Sequence, residues 1–138
     1  HGGTAAWIYT SDHGEDLFDD NRRCFLHASP VPTYYQIHVP LWVWLSTDYH
    51  THHATEAEAL AAHTEQPVST SLSLFHTLLQ LGGISTPMLA DSLSLCSPNY
   101  HPMPRYYLDD HNRPVPLHEL GLTDEDVEQF HHHGLSYE

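Results

Sequence analysis

The sequence predicts an α/β fold, because strand-like and helix-like segments alternate along the chain. Two apolar runs rich in β-branched and aromatic residues, TAAWIYT at 4–10 and IHVPLWVWL at 37–45, predict strands. A run with helical spacing of its apolar residues follows at 69–81, and a helix start with a capping signal lies near the C-terminus. Strands that alternate with helices are typical of an α/β domain with a mixed sheet.

The first strand, at 4–10, is expected to be buried because it is almost wholly apolar. Residues 17–36 have no clear period and contain two prolines, so they predict an irregular loop that packs over a site. The second strand contains Pro40, which predicts an edge position or the first residue of the strand.

Residues 46–66 predict an insertion or connector that contains one helix, ATEAEALAAH. In the next segment, Leu72, Phe75, His76 and Leu79 recur at helical spacing, and Gly82 marks the end of that helix. Residues 85–104 predict a long connection, and RYYLDDHNRPVP at 105–116 predicts a short edge strand with a turn.

The last predicted element is a helix whose N-cap is Thr123. Asp126 follows three residues later, as in a capping box, and Asp124 and Glu125 complement the positive end of the helix dipole. We find no internal repeat, and the length of 138 residues fits one domain.

The composition is strongly acidic, with 18 Asp and Glu residues against four Arg, no Lys, and a formal charge of -14. Nucleic acid is excluded as a partner, because phosphate backbones are held by clustered Lys and Arg. Attraction to an anionic membrane surface by charge alone is excluded for the same reason. Carboxylates and 15 His residues suit cations better, although a His count by itself is a weak indication of metal.

No apolar run approaches the ~20 residues of a transmembrane helix. The chain starts without a signal peptide or an initiator Met, which predicts a segment of a larger protein. Cys24 and Cys96 permit one disulfide, and their spacing neither requires nor excludes it.

The stretch TSDHGEDLFDD at 10–20 raises the main question about function. Asp12 and His13 follow a predicted strand, at the edge of an α/β sheet where ligands collect. Carboxylate oxygen and imidazole nitrogen together suit zinc or another divalent metal, but D-H-G alone also fits an ordinary acidic turn. Glu15 is a candidate to support the site, and the acidic run from Asp16 to Asp20 predicts a solvated loop.

Two further histidines are candidates, His27 in FLHASP and His38 in QIHVPLW. Taken alone, His38 at a predicted strand start fits a hydrogen-bonded residue at the edge of the core. The four segments IYTSDHGEDL, FLHASP, QIHVPLWVWLS and SLFHTLLQLGGI, in this order, resemble the C-terminal part of the sulfatase-like phosphoethanolamine transferases of the alkaline phosphatase superfamily. The resemblance covers residues 4–45 and 69–84, and it implies the C-terminal portion of a three-layer sandwich with a mixed sheet.

The resemblance also implies roles for individual residues. Asp12 and His13 match the paired zinc ligands of the family, and His27 matches a histidine near the transferred phosphate group or a second metal. Glu15 matches the motif glutamate, and His38 matches the histidine of the family's His-Val-Pro segment. Both are expected to have supporting roles. Two departures are Ala28, where the family has glycine, and Ile37, where the family has threonine.

No residue of this chain matches the nucleophilic threonine of the family or its further acidic zinc ligand. The resemblance therefore implies that residues 1–138 are a C-terminal fragment of a catalytic domain, inactive by itself and a weak zinc binder. The parent protein would transfer phosphoethanolamine from a phospholipid to lipid A or the lipopolysaccharide core. It would sit in the inner membrane with its catalytic domain in the periplasm, and an exposed sheet edge would allow dimerisation.

Two alternatives remain open at the level of the sequence. The first is a sulfatase or related hydrolase of sulfuric or phosphoric esters, whose formylglycine precursor would lie outside this chain. The second is a non-enzymatic, acidic, His-rich module that binds metal or another protein.

Overall fold

A computed structural model of the chain describes residues 2–28, 31–109 and 111–136. Ser29 and Pro30 of the L-H-A-S-P segment, and Asp110 of the predicted 105–116 turn, lie outside the described residues. Strands and helices alternate, so the predicted α/β class is confirmed. Within the described residues, three two-stranded sheets are present rather than one larger mixed sheet.

The strands are short and fall early and late in the chain. They are β1 (Ala6–Thr10), β2 (Asp16–Leu17), β3 (Phe25–Leu26), β4 (Leu41–Leu45), β5 (Tyr106–Leu108) and β6 (Pro114–Pro116). The sheets pair β1 with β4, β2 with β3, and β5 with β6, the last two pairs antiparallel.

The described residues also form five α-helices. They are α1 (Tyr34–Ile37), α2 (Thr47–His52), α3 (Ala54–Ala62), α4 (Thr70–Leu81) and α5 (Asp124–His132), with 3-10 turns at Asp91–Leu93 and Leu117–Glu119. The predicted capping box of α5 is confirmed, because the Thr123 side chain accepts from the Asp126 N–H and the Asp126 side chain accepts from the Thr123 N–H. None of the helices in the described part of the chain has the length and hydropathy of a membrane span.

The chain divides into two compact units. The first unit comprises the residues up to Tyr9 together with Trp42–Met103, and the second comprises Thr10–Leu41 together with Pro104–Glu138. In the first unit, α4 is tied to the segment after the first 3-10 turn by two hydrogen bonds: the Leu95 N–H donates to Thr77 Oγ1 at 3.0 Å, and Gln80 Nε2 donates to the Cys96 carbonyl at 3.2 Å.

Two predictions about strands need correction. Strand β1 is not buried, because Trp7 and Tyr9 each expose about half of their surface. Strand β4 begins at Leu41 and not at residue 37, because Ile37 ends helix α1 and Pro40, which has no N–H to donate, precedes the strand.

The second unit is built around the side chains of Tyr34, Leu117 and Phe130. The rings of Tyr34 and Phe130 meet edge to face with their centroids 5.3 Å apart, which joins α1 to α5. Residues 17–36, predicted to be an irregular loop, instead form the β2–β3 hairpin and helix α1. The strands of this hairpin are two residues long, which is too short for an alternation of apolar and polar residues to be recognised in the sequence.

Candidate metal centre

Residues 11–15 form a tight turn that leads from β1 into β2. Ser11 Oγ donates to the His13 carbonyl at 2.6 Å, and the His13 N–H donates to Asp12 Oδ1 at 3.1 Å. The Gly14 N–H donates to the carbonyl of Gln36 at 2.9 Å. A Cβ at Gly14 would lie 1.9 Å from the carbonyl oxygen of Tyr35, so only glycine fits this close approach to α1.

The structure brings His13, Glu15 and His27 together. One ligand atom from each of the three side chains lies within 4.8 Å of the other two. Glu15 Oε1 is 2.8 Å from His27 Nδ1 and 3.8 Å from His13 Nδ1, and the centroids of the two imidazole rings are 3.9 Å apart. Two imidazoles and a carboxylate are therefore gathered at one point of the second unit.

The hairpin register explains how residues 12 positions apart come to meet. Asp16 pairs with Leu26 and Leu17 with Phe25 in the antiparallel β2–β3 ladder. Glu15 and His27 are the next residues outward on the two strands, so the same register places them opposite each other. The candidate centre thus lies at the open end of this hairpin.

The residues present fit a divalent metal. Glu15 Oε2 is buried and has no hydrogen-bond partner among the described residues, which leaves an acceptor free for a ligand. Imidazole nitrogen and carboxylate oxygen are common zinc donors, and tetrahedral zinc with bonds of ~2.0–2.1 Å separates its ligand atoms by about 3.4 Å. The observed spacing, up to 4.8 Å, needs only small side-chain adjustments to reach that geometry.

Asp12 lies next to this group but outside it. Its side chain is 87% exposed, and Oδ2 is 3.8 Å from His13 Nε2. The pKa of Asp12 is lowered by the hydrogen bond from its own backbone N–H and then by the neighbouring His13, so the carboxylate is ionised at neutral pH. The two ring nitrogens of His13 therefore face two different carboxylates, Asp12 on one side and Glu15 on the other.

His38 lies in a different environment from the other candidates. As the C-cap of α1 it places Nδ1 2.5 Å from the Tyr34 hydroxyl, and its ring centroid is 5.7 Å from that of His133. The pKa of His38 is lowered by desolvation of the ring and by the nearby positive charges of His133 and Arg105. The structure thus leaves His38 exposed, in contact with Tyr34 of the core, and does not bring it to the group of three.

The prediction of a solvated acidic loop is wrong for Asp16. It is 3% exposed, and its carboxylate accepts hydrogen bonds from Thr33 Oγ1 at 2.6 Å and from Gln36 Nε2. Side chains alternate between the two faces of a strand, so Glu15 and Asp16 must point to opposite faces. This alternation is the sequence signal that could have distinguished a buried Asp16 from Glu15. Asp20 also departs from the prediction, since it pairs with Arg22.

The backbone around the centre is unusual in its dihedral angles. Phe18, Arg23, Leu26 and Ala28 all have positive φ, between 54° and 67°. Non-glycine residues are disfavoured in this left-handed region by roughly 1–2 kcal/mol each. Ala28, at φ 67°, stands where the resembling family has glycine, so the departure noted in the sequence falls on a position whose backbone favours glycine.

Comparison with known proteins shows which family the chain resembles in sequence. A sulfatase family model matches residues 5–84. Phosphoethanolamine transferase EptA of Salmonella typhimurium is 33% identical over 85 residues, which are 60% of this chain and 15% of that protein. EptA of Escherichia coli K12 matches with the same identity and coverage. The chain therefore spans 15% of the length of these curated relatives.

Solved structures show the same fold. The C-terminal periplasmic domain of EcEptC from Escherichia coli superposes with a TM-score of 0.60 at 20% identity, over 84% of this chain and 33% of that one. The same domain in complex with Zn gives a TM-score of 0.60 at 20% identity, over 88% and 34%. At this identity the likeness concerns the fold.

Proposed function

The chain belongs to the sulfatase family, and on that premise we propose that it forms the C-terminal part of the catalytic domain of a zinc-dependent phosphoethanolamine transferase. The convergence of His13, Glu15 and His27 carries this proposal. The similarity to EptA supports transfer of phosphoethanolamine over the other reactions of the family. Residues 46–66, which fold as α2 and α3, are the segment that we propose as an insertion.

Two overlapping ligand sets share His13. The family resemblance assigns the ion to Asp12 and His13, whereas the structure gathers His13, Glu15 and His27. In either set zinc, when bound, supplies a Lewis acid that stabilises negative charge on phosphoryl oxygens and lowers the pKa of a hydroxyl group.

The residues of this chain prepare the site for a phosphate group. Glu15 Oε1 accepts from His27 Nδ1, which fixes the imidazole tautomer and leaves Nε2 as the nitrogen available to a ligand. His27 is exposed, so it is suited to contact the phosphoryl group that is being transferred. The ring of His13 is held by the hydrogen bond from Nδ1 to the Gly14 carbonyl at 2.9 Å, and the carboxylates of Asp12 and Glu15 each lie 3.8 Å from a ring nitrogen.

The remaining machinery would come from another part of the longer protein. A threonine nucleophile and a further acidic ligand would complete the site, and transfer would take place in two in-line displacements. The donor would be a phospholipid, the acceptor lipid A or the lipopolysaccharide core, and the domain would face the periplasm. We expect the 138-residue chain alone to be inactive.

The experiment is transfer by the longer protein, measured by mass spectrometry as addition of one phosphoethanolamine group to lipid A. His13→Ala should abolish transfer and reduce bound zinc, measured by elemental analysis, whereas His101→Ala, an exposed histidine of the first unit, should change neither. Asp12→Ala and Glu15→Ala separate the two ligand sets by their effect on zinc content. Full activity in His13→Ala, with unchanged zinc, would contradict the proposal.

A sulfatase or related ester hydrolase is the second candidate, and the sulfatase family model favours it. A hydrolase would release sulfate or phosphate from an aryl ester without modifying lipid A. Zinc binding with neither reaction would instead indicate the metal-binding module.

A further inference from the structure

Asp16 is a buried carboxylate next to a candidate metal ligand, yet it does not belong to the metal group. Both of its oxygens accept hydrogen bonds from the α1 segment, Oδ1 from Thr33 Oγ1 at 2.6 Å and Oδ2 from Gln36 Nε2. Thr33 is the N-cap of α1, and Gln36 lies within the helix. The side chain therefore attaches the start of β2 to a helix, and it does so out of contact with solvent.

A second attachment lies two residues earlier in the chain. The Gly14 N–H donates to the backbone carbonyl of Gln36 at 2.9 Å. Gln36 thus holds the segment through its carbonyl at Gly14 and through its side chain at Asp16. Glu15 is the one residue between the two attachments, so its backbone has little freedom to move away from the centre.

Helix α1 is itself fixed in the second unit. The Tyr34 N–H donates to Asp126 Oδ1 at 2.8 Å, and the Tyr34 ring packs in the core against Phe130. A helix of one turn has little stability of its own, so these contacts hold α1 in place. Because α1 is fixed, its hydrogen bonds to Gly14 and Asp16 restrict the start of β2.

We propose that Asp16 is a positioning residue, which with Gln36 fixes the backbone of Glu15 and the start of the β2–β3 ladder so that Glu15 faces His27. This inference rests on the proposed function only for the identity of the metal. The arrangement acts through the backbone, because the pairing of Asp16 with Leu26 sets which residues meet at the open end of the hairpin. Groups that hydrogen-bond directly to metal ligands typically change metal affinity by 10- to 100-fold, and we expect the lower end of this range for a residue that acts through the backbone.

The experiment uses two variants of the 138-residue chain that break the same hydrogen bond from opposite sides. Asp16→Leu removes the carboxylate, and Gln36→Met removes the donor while it keeps the carboxylate. Asp16→Asn is the conservative variant, since it retains an acceptor for one of the two bonds. Leu117→Val, in the core of the same unit, is the control for loss of stability without loss of this contact.

Two readouts are compared at a temperature at which every variant is folded. The first is the zinc dissociation constant, together with the visible spectrum of the cobalt-substituted protein, which reports ligand geometry. The second needs no metal: it is the nuclear Overhauser effect between the rings of His13 and His27, whose centroids are 3.9 Å apart.

We expect at least tenfold weaker zinc binding, an altered cobalt spectrum and loss of the ring contact in Asp16→Leu and Gln36→Met. Asp16→Asn should recover part of each effect, and Leu117→Val should leave the zinc affinity, the cobalt spectrum and the ring contact unchanged. Wild-type values in both Asp16→Leu and Gln36→Met would overturn the inference. If the wild-type chain binds no zinc, the proposed metal centre fails, and the ring contact still decides whether Asp16 positions the hairpin.

Discussion

Arg22 in the β2–β3 hairpin forms a bidentate ion pair with Asp126 in helix α5, 104 positions later in the chain. Arg22 Nη1 is 2.6 Å from Asp126 Oδ2, and Arg22 Nη2 is 2.8 Å from Asp126 Oδ1. Asp126 is fully buried and also accepts from the Tyr34 N–H. This pair therefore joins the hairpin, α1 and α5, and it holds the hairpin that carries Glu15 and His27 at its open end.

Removing either partner should destabilise the second unit strongly. Arg22→Gln leaves the buried Asp126 carboxylate without its cation, and breaking a buried pair in this way costs about 3–5 kcal/mol. Urea denaturation should show a loss of that size in the free energy of unfolding. Arg113→Gln is the matched control, because Arg113 is exposed and pairs with Asp109 at the surface, where water and salt screen the pair and little or no loss is expected. Equal losses in the two variants would contradict a special role for Asp126.

The chain should lose stability in acid. Burial raises the pKa of the Asp126 carboxyl, but hydrogen bonds from Arg22, Tyr34 and Thr123 outweigh burial and lower it. The pKa of Asp109 is lowered to about 2 by hydrogen bonds from the backbone and side chain of Arg113. A carboxyl whose folded pKa is lowered stabilises the fold above its unfolded pKa of about 4, and this contribution disappears as the pH falls toward the folded value.

Urea titrations at pH 7, 5, 4 and 3 measure this loss. The free energy of unfolding should decline modestly below about pH 6.5, because the lowered pKa of His38 disfavours its protonation in the folded chain, and it should fall steeply below pH 4. Asp126→Asn should show a shallower decline, because its amide gains nothing from ionisation. A decline as steep as that of the wild type would mean that Asp126 does not contribute to the acid sensitivity.

Ala28→Gly should stabilise the chain. Ala28 has φ 67°, a region that costs an L-residue roughly 1–2 kcal/mol and costs glycine little. After the greater freedom of glycine in the unfolded chain is subtracted, we expect a gain of about 1 kcal/mol in urea denaturation. Ala62→Gly, in the last turn of α3, is the control and should lose about 0.5–1 kcal/mol. A loss in both variants would show that position 28 is not strained.

Gly14→Ala should disrupt the turn that carries His13 and Glu15. The new Cβ would meet the Tyr35 carbonyl oxygen at 1.9 Å, so the turn must move away from α1 and give up the hydrogen bond from Gly14 to Gln36. We expect a loss of about 2 kcal/mol or more, the sum of overpacking and a lost bond. Gly3→Ala has open space around its Cβ and should have almost no effect. Circular dichroism melts of the two variants compare them directly.

Both cysteines are free thiols in the structure, and they should differ in reactivity because they differ in burial. Cys96 is 0% exposed, and burial, followed by the nearby negative charge of Glu56, raises its pKa to about 12. Cys24 lies half-buried in the hairpin. A thiol reagent at pH 8 should modify Cys24 in the native chain and Cys96 only in denaturant. Cys24→Ser should remove the native reaction, and its persistence would show that Cys96 is accessible.

Local signals predicted the elements that are long or capped. The period of apolar residues predicted α4, and the pair Thr123 and Asp126 predicted the start of α5, because capping chemistry is confined to neighbouring residues. The turn at Asp12 and His13 was predicted from its position after β1. In each case the determining interactions span a few residues, which is the range that a single sequence reveals.

The remaining features depend on contacts between distant residues. The β2–β3 hairpin turns through Phe18 and Arg23 in left-handed conformations, and neither residue type signals such a backbone. The burial of Asp16 depends on Thr33 and Gln36, and nothing in the acidic run itself distinguishes it from Asp19. The pairing of Arg22 with Asp126 could not be predicted from either segment. The two residues are 104 positions apart, and an ion pair over that distance leaves no pattern in the sequence around either of them.

The second unit is assembled from two stretches of chain, with Trp42–Met103 between them in sequence. During synthesis Arg22 therefore leaves the ribosome well before Asp126, and at 5–20 residues per second the 104 intervening steps take roughly 5–20 seconds. For that interval the nascent hairpin has Asp20 as a partner for Arg22 but lacks the carboxylate that joins it to α1 and α5. The hairpin that bears Glu15 and His27 is thus completed late in translation, in the same event that closes the unit.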